Sequence, residues 1–339
     1  MNITMWGKAL RTIPRISKEE WNGLDIVSKF LIASRSGVLV ITFISAGLAG
    51  LFAYRAGHFD LGLWLLLTFG LLFAHATNNL LNHATDFVKG VDTDNYYRAQ
   101  YGPQTLTHGF LTMRQLLTYA GASGLLALLF GGYLVYLRGP VAWALLGAGV
   151  FFVLFYTWPL KYIGLGEIAV VIVWGPLMIG GGYYVITGQW DWNVVIAGLP
   201  YAFGATSIIF GKHIDKLDKD KDKGIHTLPV IIGEKAARWT VLGMMAAQYL
   251  VVAYLVVTGF FTPVVLVVFL ALNFWWNSYK AYRYPKPAEA PAYLPPGVWP
   301  LFFVGFSFVH NRRFGLLFML GLIGDVLLRS LHLFGLTSH

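Results

Sequence analysis

Residues 61–94 read LGLWLLLTFGLLFAHATNNLLNHATDFVKGVDTD. The segment 61–81 contains no Asp, Glu, Lys or Arg, and its length is close to the about 20 apolar residues that a helix needs to cross the hydrocarbon core of a bilayer. The segment that follows is polar and carries three aspartates, Asp86, Asp92 and Asp94. This stretch therefore predicts a membrane-spanning helix that ends in a group of carboxylates.

The composition of the whole chain agrees with this interpretation. Of its 339 residues, 57% are hydrophobic and only 12% are charged, and there is no cysteine. A soluble globular domain usually has about 25% charged residues, so this chain has too few of them to cover a water-facing surface. The composition excludes intrinsic disorder, a disulfide scaffold and a thiolate metal site. It predicts a polytopic membrane protein.

Apolar runs long enough to span a bilayer recur along the chain. They lie near residues 33–54, 61–81, 115–137, 140–157, 165–186, 194–211, 238–260, 263–278 and 314–331. The predicted fold class is therefore an all-α integral membrane protein, a bundle of nine transmembrane helices. We expect residues 1–29 to form a basic leader and residues 30–339 a single polytopic membrane domain. The apolar segment Val298–Val309 is too short to cross, and we expect it to be interfacial or re-entrant.

The positive charges indicate an orientation. Most of the 25 lysines and arginines lie in the leader and in the loops after the second, fourth, sixth and eighth runs. By the positive-inside tendency, these segments face the cytoplasm, which predicts a multi-pass protein of the cell (plasma) membrane with a cytoplasmic N-terminus. Since this topology accounts for the net charge of +9, no nucleic-acid partner is predicted.

The first polar cluster follows the second apolar run. Asn78, Asn82 and Asp86 recur every four residues, so they are predicted to share one face of a helix end. Asp92 comes after Gly90, which can turn the chain back toward that face. The spacing thus favours a set of oxygen ligands that converge at one end of the span.

The second polar cluster follows the sixth run, where residues 212–224 read KHIDKLDKDKDKG. Asp215, Asp218 and Asp222 are spaced i, i+3, i+7 and are predicted to form one helical stripe among five lysines. His83 and His213 lie within the two clusters. No partner ligand for either is visible in the sequence, so each is predicted to be packed or hydrogen-bonded rather than to bind a metal.

Carboxylates and lysines at two span ends on the same membrane side have an obvious chemical use. Magnesium typically takes one or two carboxylates and completes its shell with water and phosphate oxygens. The sequence therefore predicts Mg²⁺ ions that join these carboxylates to a diphosphate. A transporter of divalent cations or diphosphate lipids is an alternative of another class. However, transport sites usually lie near the bilayer midplane, and there the sequence offers little beyond Asp325, for which no partner is visible.

Asn82, Asp86 and Asp92 resemble the first aspartate-rich motif of the UbiA-type intramembrane prenyltransferases. Similar stretches occur at 156–161 (YTWPLK), 164–167 (GLGE), 174–178 (WGPLM) and 224–230 (GIHTLPV). The Asp-x5-Asp spacing of the first motif and the stretches 164–167 and 174–178 are most similar to the menaquinone-pathway branch, the 1,4-dihydroxy-2-naphthoate polyprenyltransferases. The resemblance implies a fold of nine transmembrane helices with aspartate-rich motifs after the second and the sixth.

The second motif departs from the family pattern. The family usually has aspartates eight and four residues before the closing glycine, and counted from Gly224 these positions hold Lys216 and Asp220. Either the helix end is locally adjusted, or the predicted stripe of three aspartates is the working set. In addition, Gln104 stands where the menaquinone-type enzymes have arginine, a difference that bears on the substrate more than on the reaction.

The resemblance also implies a reaction and roles for individual residues. A polyprenyl group would pass from a polyprenyl diphosphate to an aromatic acceptor such as 1,4-dihydroxy-2-naphthoate, with release of diphosphate; another aromatic, an ether lipid or a carotenoid stays open as acceptor. The implied metal ligands are Asn82, Asp86, Asp92, Asp215 and Asp218, with Asp220 and Asp222 as further candidates. The implied substrate contacts are Asn78, Asn82, Arg98, Lys161, Lys212 and Lys216. The implied catalytic set is Asp86, Asp92, Asp215, Asp218 and Tyr156, the last as an aromatic ring near an allylic cation.

Overall fold

Helices make up nearly all of the secondary structure. The computed structural model describes residues 1–91, 103–294 and 298–331. Within these ranges its β structure is limited to one isolated parallel bridge between Ile163 and His226. The all-helical fold class predicted from the apolar runs is therefore confirmed.

The helices are numbered here in chain order. They are α1 (Ile3–Arg11), α2 (Lys18–Asn22), α3 (Ile26–Ala33), α4 (Val40–Arg55), α5 (Leu61–Val88), α6 (Met113–Arg138), α7 (Pro140–Phe155), α8 (Gly166–Thr187), α9 (Trp192–Asp215), α10 (Leu217–Asp222), α11 (Leu228–Ile232), α12 (Glu234–Val257), α13 (Pro263–Tyr282) and α14 (Phe303–Ser330). Helix α8 contains a π-helical segment, Val173–Gly180, and α13 begins with 3-10 turns over Pro263–Ala271.

Seven helices are long and apolar enough to cross a membrane. They are Ser36–Arg55, which includes α4, and α5, α6, α8, α9, α12 and α13. Each coincides with one of the predicted runs. The other two runs lie on α7, which has 16 residues, and on α14, which carries several charges. The total of nine transmembrane helices stays a prediction.

Helix α5 shows how local sequence positions the first motif. The Asp60 carboxylate accepts a hydrogen bond from the Leu63 N–H at 2.8 Å and so caps the start of the helix. The helix continues to Val88 rather than ending near residue 81. Asn82 and Asp86 are therefore on the helix itself, in its last two turns.

The chain divides into two compact units. The first comprises Met1–Gly50 and Asp60–Pro159, and the second comprises Leu51–Phe59 and the chain from Leu160 onward. In the first unit, the Asp25 carboxylate accepts hydrogen bonds from the Ser28 N–H at 3.0 Å and from the Asn2 N–H at 2.7 Å. The Ser28 amide lowers the pKa of Asp25 well below its usual range. The residues predicted to form a basic leader lie in helices α1 to α3 and their connections. Residue 30, the predicted start of the membrane domain, lies within α3.

Close packing in the second unit depends on small residues. A Cβ atom added at Gly180 in α8 would lie 2.6 Å from Val195 Cγ2 in α9. Glycine at this position therefore lets the two helices approach, as small residues do between membrane helices. Helix α9 also packs against α12 and α14, so it lies among several helices of this unit.

Two expectations are corrected by the structure. Val298–Val309 is not a separate interfacial piece, because α14 begins at Phe303 and its first turns include the second half of that segment. Asp325 does have partners: its Oδ2 lies 3.4 Å from both Arg55 Nε and Arg329 Nε, and its Oδ1 accepts a hydrogen bond from the Thr262 N–H at 2.6 Å. Arg55 and Thr262 are far from this buried carboxylate in the sequence, whereas Arg329 is four residues away.

Candidate active site

The first motif lies in the first unit, at the C-terminal end of α5. Asn78 Nδ2 donates to the Val153 carbonyl in α7 at 2.9 Å, so this amide supports helix packing. Asn82 is half-buried, and Asp86 is only 1% exposed although Phe87 beside it is exposed. A buried carboxylate at the negative end of a helix dipole needs cations or hydrogen-bond donors around it. This position suits a residue that binds cations.

The chain turns immediately after Asp86. The Gly90 N–H donates to the Phe87 carbonyl at 3.1 Å, and the Val91 N–H donates to the Asp86 carbonyl at 2.9 Å. Gly90 has a φ of 63°, which favours glycine, and the two bonds together form a Schellman motif. The predicted ligand Asp92 and the predicted diphosphate contact Arg98 lie outside the described residues.

The second motif lies in the second unit and is interrupted. Helix α9 ends at Asp215, Lys216 has φ −119° and ψ 21°, and α10 begins at Leu217. Consequently the predicted single stripe is wrong: Asp215 is buried, whereas Asp218 and Asp222 are exposed. The helix end is locally adjusted at Lys216, as the other interpretation of the sequence expects, and the identity of the metal-binding aspartates stays a prediction.

Both carboxylate oxygens of Asp215 accept hydrogen bonds from the last helix. Its Oδ1 accepts a hydrogen bond from the Phe303 N–H at 2.9 Å and its Oδ2 accepts one from the Val304 N–H at 3.0 Å, at the start of α14. Lys286 Nζ lies 3.7 Å from Asp215 Oδ1. Burial lowers the pKa of Lys286, and the neighbouring Asp215 opposes that shift. Asp215 thus caps a helix and pairs with a half-buried lysine.

This geometry makes a prediction about stability. Asp215→Ala removes the acceptor of two backbone N–H groups and the partner of Lys286, so we expect it to lower the free energy of unfolding by about 1–3 kcal/mol. Thermal unfolding of the detergent-purified protein measures the effect. The control is Asp218→Ala, an exposed change expected to stay within about 0.5 kcal/mol; equal melting temperatures for the two variants would contradict the capping role.

Asp220 is the buried aspartate of α10. Its Oδ1 lies 2.6 Å from Lys216 Nζ, and the side chains of the pair are 3% and 10% exposed, respectively. Its other oxygen, Oδ2, is buried and has no hydrogen-bond partner within the described ranges. A buried carboxylate oxygen without a donor is costly, and it is an oxygen that a ligand or cation can satisfy.

A second buried network adjoins this motif within the second unit. His213 Nδ1 lies 2.5 Å from Glu167 Oε1, and Glu167 Oε2 accepts a hydrogen bond from the Leu228 N–H at 3.3 Å. The hydrogen-bonded role predicted for His213 is confirmed. The Glu167 partner was not foreseen, because the two residues are 46 positions apart. The pair joins α8, α9 and the start of α11.

The other predicted substrate contacts and the predicted catalytic tyrosine differ in how deeply they are buried. Lys161 is buried in the second unit, 5.9 Å from the centroid of the Tyr162 ring, and the bridge of Ile163 with His226 holds its loop beside the chain after the second motif. Lys212 is half-buried on α9. Tyr156, in the first unit, is half-buried just after α7.

The carboxylate oxygens of these motifs suit a metal ion whose coordination shell is completed by oxygens of the substrate. Within residues 1–91, 103–294 and 298–331, no three His, Asp or Glu side chains converge into a full metal cage. Magnesium does not require one, since it is commonly held by one or two carboxylates and by phosphate oxygens. The unpartnered Asp220 Oδ2 is an oxygen of the required kind.

Comparison with known proteins agrees with these features. The chain is 28% identical over 263 residues to the 1,4-dihydroxy-2-naphthoate octaprenyltransferase of Bacillus subtilis, covering 76% of this chain and 79% of that one. It is also 28% identical over 236 residues to the UbiA prenyltransferase domain-containing protein 1 homolog of Drosophila melanogaster; that match covers 65% of this chain and spans 62% of the fly protein.

Solved structures show the same fold. A UbiA homolog from Aeropyrum pernix superposes with a TM-score of 0.62 at 17% identity, covering 84% of this chain and 97% of that one. A UbiA homolog from Archaeoglobus fulgidus, bound to GPP and Mg²⁺, superposes with a TM-score of 0.55 at 17% identity, covering 86% and 99%. Residues 42–324 match the UbiA prenyltransferase family. With that match across most of its length, the chain belongs to the UbiA prenyltransferase family.

Proposed function

We propose that the chain transfers a prenyl group from a polyprenyl diphosphate to an aromatic acceptor and releases diphosphate. As a UbiA-family chain with seven helices apolar enough to cross a bilayer, it is a multi-pass membrane protein. The observation that carries the proposal is the pair of buried aspartates at helix ends, Asp86 and Asp220, in a chain of this family. Both have the environment expected of residues that receive cations.

For the described residues, the assignment of metal ligands rests on the contacts of each motif, and Asp92 is assigned from the sequence pattern alone. We assign metal binding to Asn82, Asp86 and Asp92 in the first motif and to Asp220 in the second. Asp220 is preferred to Asp215, whose two oxygens accept backbone hydrogen bonds, and to the exposed Asp218 and Asp222. When bound, Mg²⁺ would neutralise negative charge on the leaving diphosphate.

Positively charged side chains of the protein are assigned to bind the diphosphate alongside the metal. Lysine is a common point-charge ligand for phosphate. The buried Lys161 and the largely buried Lys216 are the lysines that we assign to the diphosphate, with Arg98 and Lys212 as further contacts.

In the proposed reaction, the allylic carbon–oxygen bond breaks, and its electrons leave with the diphosphate. The acceptor ring then forms the new carbon–carbon bond and loses a proton or a carboxyl group. Tyr156 is assigned to the surroundings of the allylic cation.

The acceptor is assigned by similarity. The Bacillus subtilis relative is named for 1,4-dihydroxy-2-naphthoate and for an octaprenyl group, so we propose that naphthoate as the acceptor. Gln104, which replaces the arginine of similar enzymes, is buried and accepts a hydrogen bond from Thr107 Oγ1 at 3.2 Å. We further propose that both motifs face the cytoplasm from the plasma membrane, as the distribution of lysine and arginine predicts.

Product analysis tests this proposal. Detergent-purified protein would be incubated with Mg²⁺, prenyl diphosphates of several chain lengths and 1,4-dihydroxy-2-naphthoate, and the products would be identified by mass spectrometry. We expect a prenylated naphthol. A prenylated product from another acceptor only would overturn the acceptor. If the prenyl diphosphate stayed unreacted with every donor and acceptor tested, the proposal of prenyl transfer would be overturned and a transporter would be favoured.

A further inference from the structure

The ends of the two motifs have the same backbone design. Asp220, Gly224 and Ile225 repeat the arrangement that Asp86, Gly90 and Val91 form in the first motif. The Ile225 N–H donates to the Asp220 carbonyl at 2.8 Å, and the Gly224 N–H donates to the Lys221 carbonyl at 3.0 Å. Gly224 has a φ of 66°, so this is a second Schellman motif.

The repeat aligns the side chains of the two motifs. Asp220 corresponds to Asp86, and both are buried, at 2% and 1% exposed. Four residues earlier, Lys216 corresponds to Asn82. The second motif therefore has a cation where the first has a neutral amide.

Lys216 and Asp220 form an ion pair with little access to water. Their 2.6 Å contact uses Asp220 Oδ1, while the buried Oδ2 has no partner among the residues described. Asp215 does not restore the missing ligand, since its oxygens cap α14, and Asp218 is exposed rather than buried beside Asp220. Within the described residues, the buried Lys216–Asp220 pair thus has one carboxylate oxygen without a donor, on the same carboxylate that contacts the ammonium group.

We infer that Lys216 is a built-in cation of the second motif. Its ammonium neutralises Asp220 at the oxygen that a divalent ion would otherwise share, and it presents positive charge to the diphosphate directly. Because the pair has no net charge, the second motif binds divalent cations weakly until a diphosphate supplies further oxygens. This inference rests on the proposed function in one respect, that the ligand carries a diphosphate.

Metal titration without substrate tests the inference. Binding of Mn²⁺ to the purified full chain would be followed by electron paramagnetic resonance in the absence of diphosphate. We expect Lys216→Gln to tighten Mn²⁺ binding about tenfold or more, because it removes a positive charge close to Asp220. The matched control is Lys221→Gln, which removes the same charge from an exposed position of α10 and is expected to change affinity by less than about twofold.

Two further measurements make the result decisive. The tightened binding must disappear in Lys216→Gln combined with Asp220→Asn, which assigns it to this motif. In chelator, Lys216→Gln is expected to weaken the binding of inorganic diphosphate about tenfold. Mn²⁺ affinity that is unchanged or lower in Lys216→Gln would overturn the inference, and Lys216→Met replaces that variant if it fails to fold. Since no prenyl donor is present, failure of prenyl transfer itself is detected separately.

Discussion

Asp86→Asn is expected to reduce prenyl transfer by about 10²–10³-fold or more, the size of effect seen when one preorganised electrostatic contact to a transition state is removed. Asparagine has the shape of aspartate but lacks its charge. We expect the same for Asp220→Asn, because the two aspartates occupy equivalent positions before Gly90 and Gly224. The initial rate of diphosphate release, with saturating donor and acceptor, measures the loss.

The control for charge removal is Asp222→Asn. Asp222 belongs to the same acidic cluster and lies two residues after Asp220, but it is exposed. We expect it to retain nearly the full rate. If Asp222→Asn were as inactive as Asp220→Asn, the distinction between buried and exposed aspartates in this motif would be lost. Matching melting temperatures are required for all three variants.

Asp325→Ala is expected to cause the largest loss of stability, about 3–5 kcal/mol, the usual result of breaking a buried ion pair. The Asp325 side chain is 1% exposed and lies 3.4 Å from the Nε atoms of both Arg55 and Arg329. It also accepts the Thr262 N–H. Alanine would remove the carboxylate that pairs with two guanidinium groups, although both keep a hydrogen bond to the Phe260 carbonyl, and would leave the Thr262 N–H without its acceptor. Thermal unfolding in detergent measures the change.

The matched comparison is Arg329→Ala. Arg329 is 20% exposed and Arg55 is 13% exposed, and Asp325 keeps Arg55 as a partner when Arg329 is removed. We therefore expect a loss well below that of Asp325→Ala. A loss equal to or greater than that of Asp325→Ala would mean that the carboxylate is not the centre of this cluster.

Local pattern was sufficient for the membrane-length helices and for the placement of Asn82 and Asp86 at the end of α5. Each helix long and apolar enough to span a membrane coincides with a run predicted from composition. Asn82 and Asp86 share the end of α5 because a spacing of four residues fixes one helical face. These features depend on neighbours within a few turns.

Long-range contacts explain where prediction from the sequence failed. The spacing of Asp215 and Asp218 fits a helical stripe, but Asp215 is bound by the amides of Phe303 and Val304, 88 and 89 residues away. Likewise, local sequence contains nothing that pairs Asp325 with Arg55. A local signal also identifies Asp220: the repeat of Asp-x-x-Lys-Gly at 86–90 and 220–224 makes it the counterpart of Asp86, in agreement with its position four residues before Gly224.

Release of inorganic diphosphate by the purified protein tests the central claim most directly. The protein would be given geranylgeranyl diphosphate and 1,4-dihydroxy-2-naphthoate, first with Mg²⁺ and then with a chelator. We expect the protein to release diphosphate with Mg²⁺ and to stop when the chelator is added. The Asp86→Asn variant is expected to release almost no diphosphate in either condition. Release that is unaffected by the chelator and by Asp86→Asn would contradict the account.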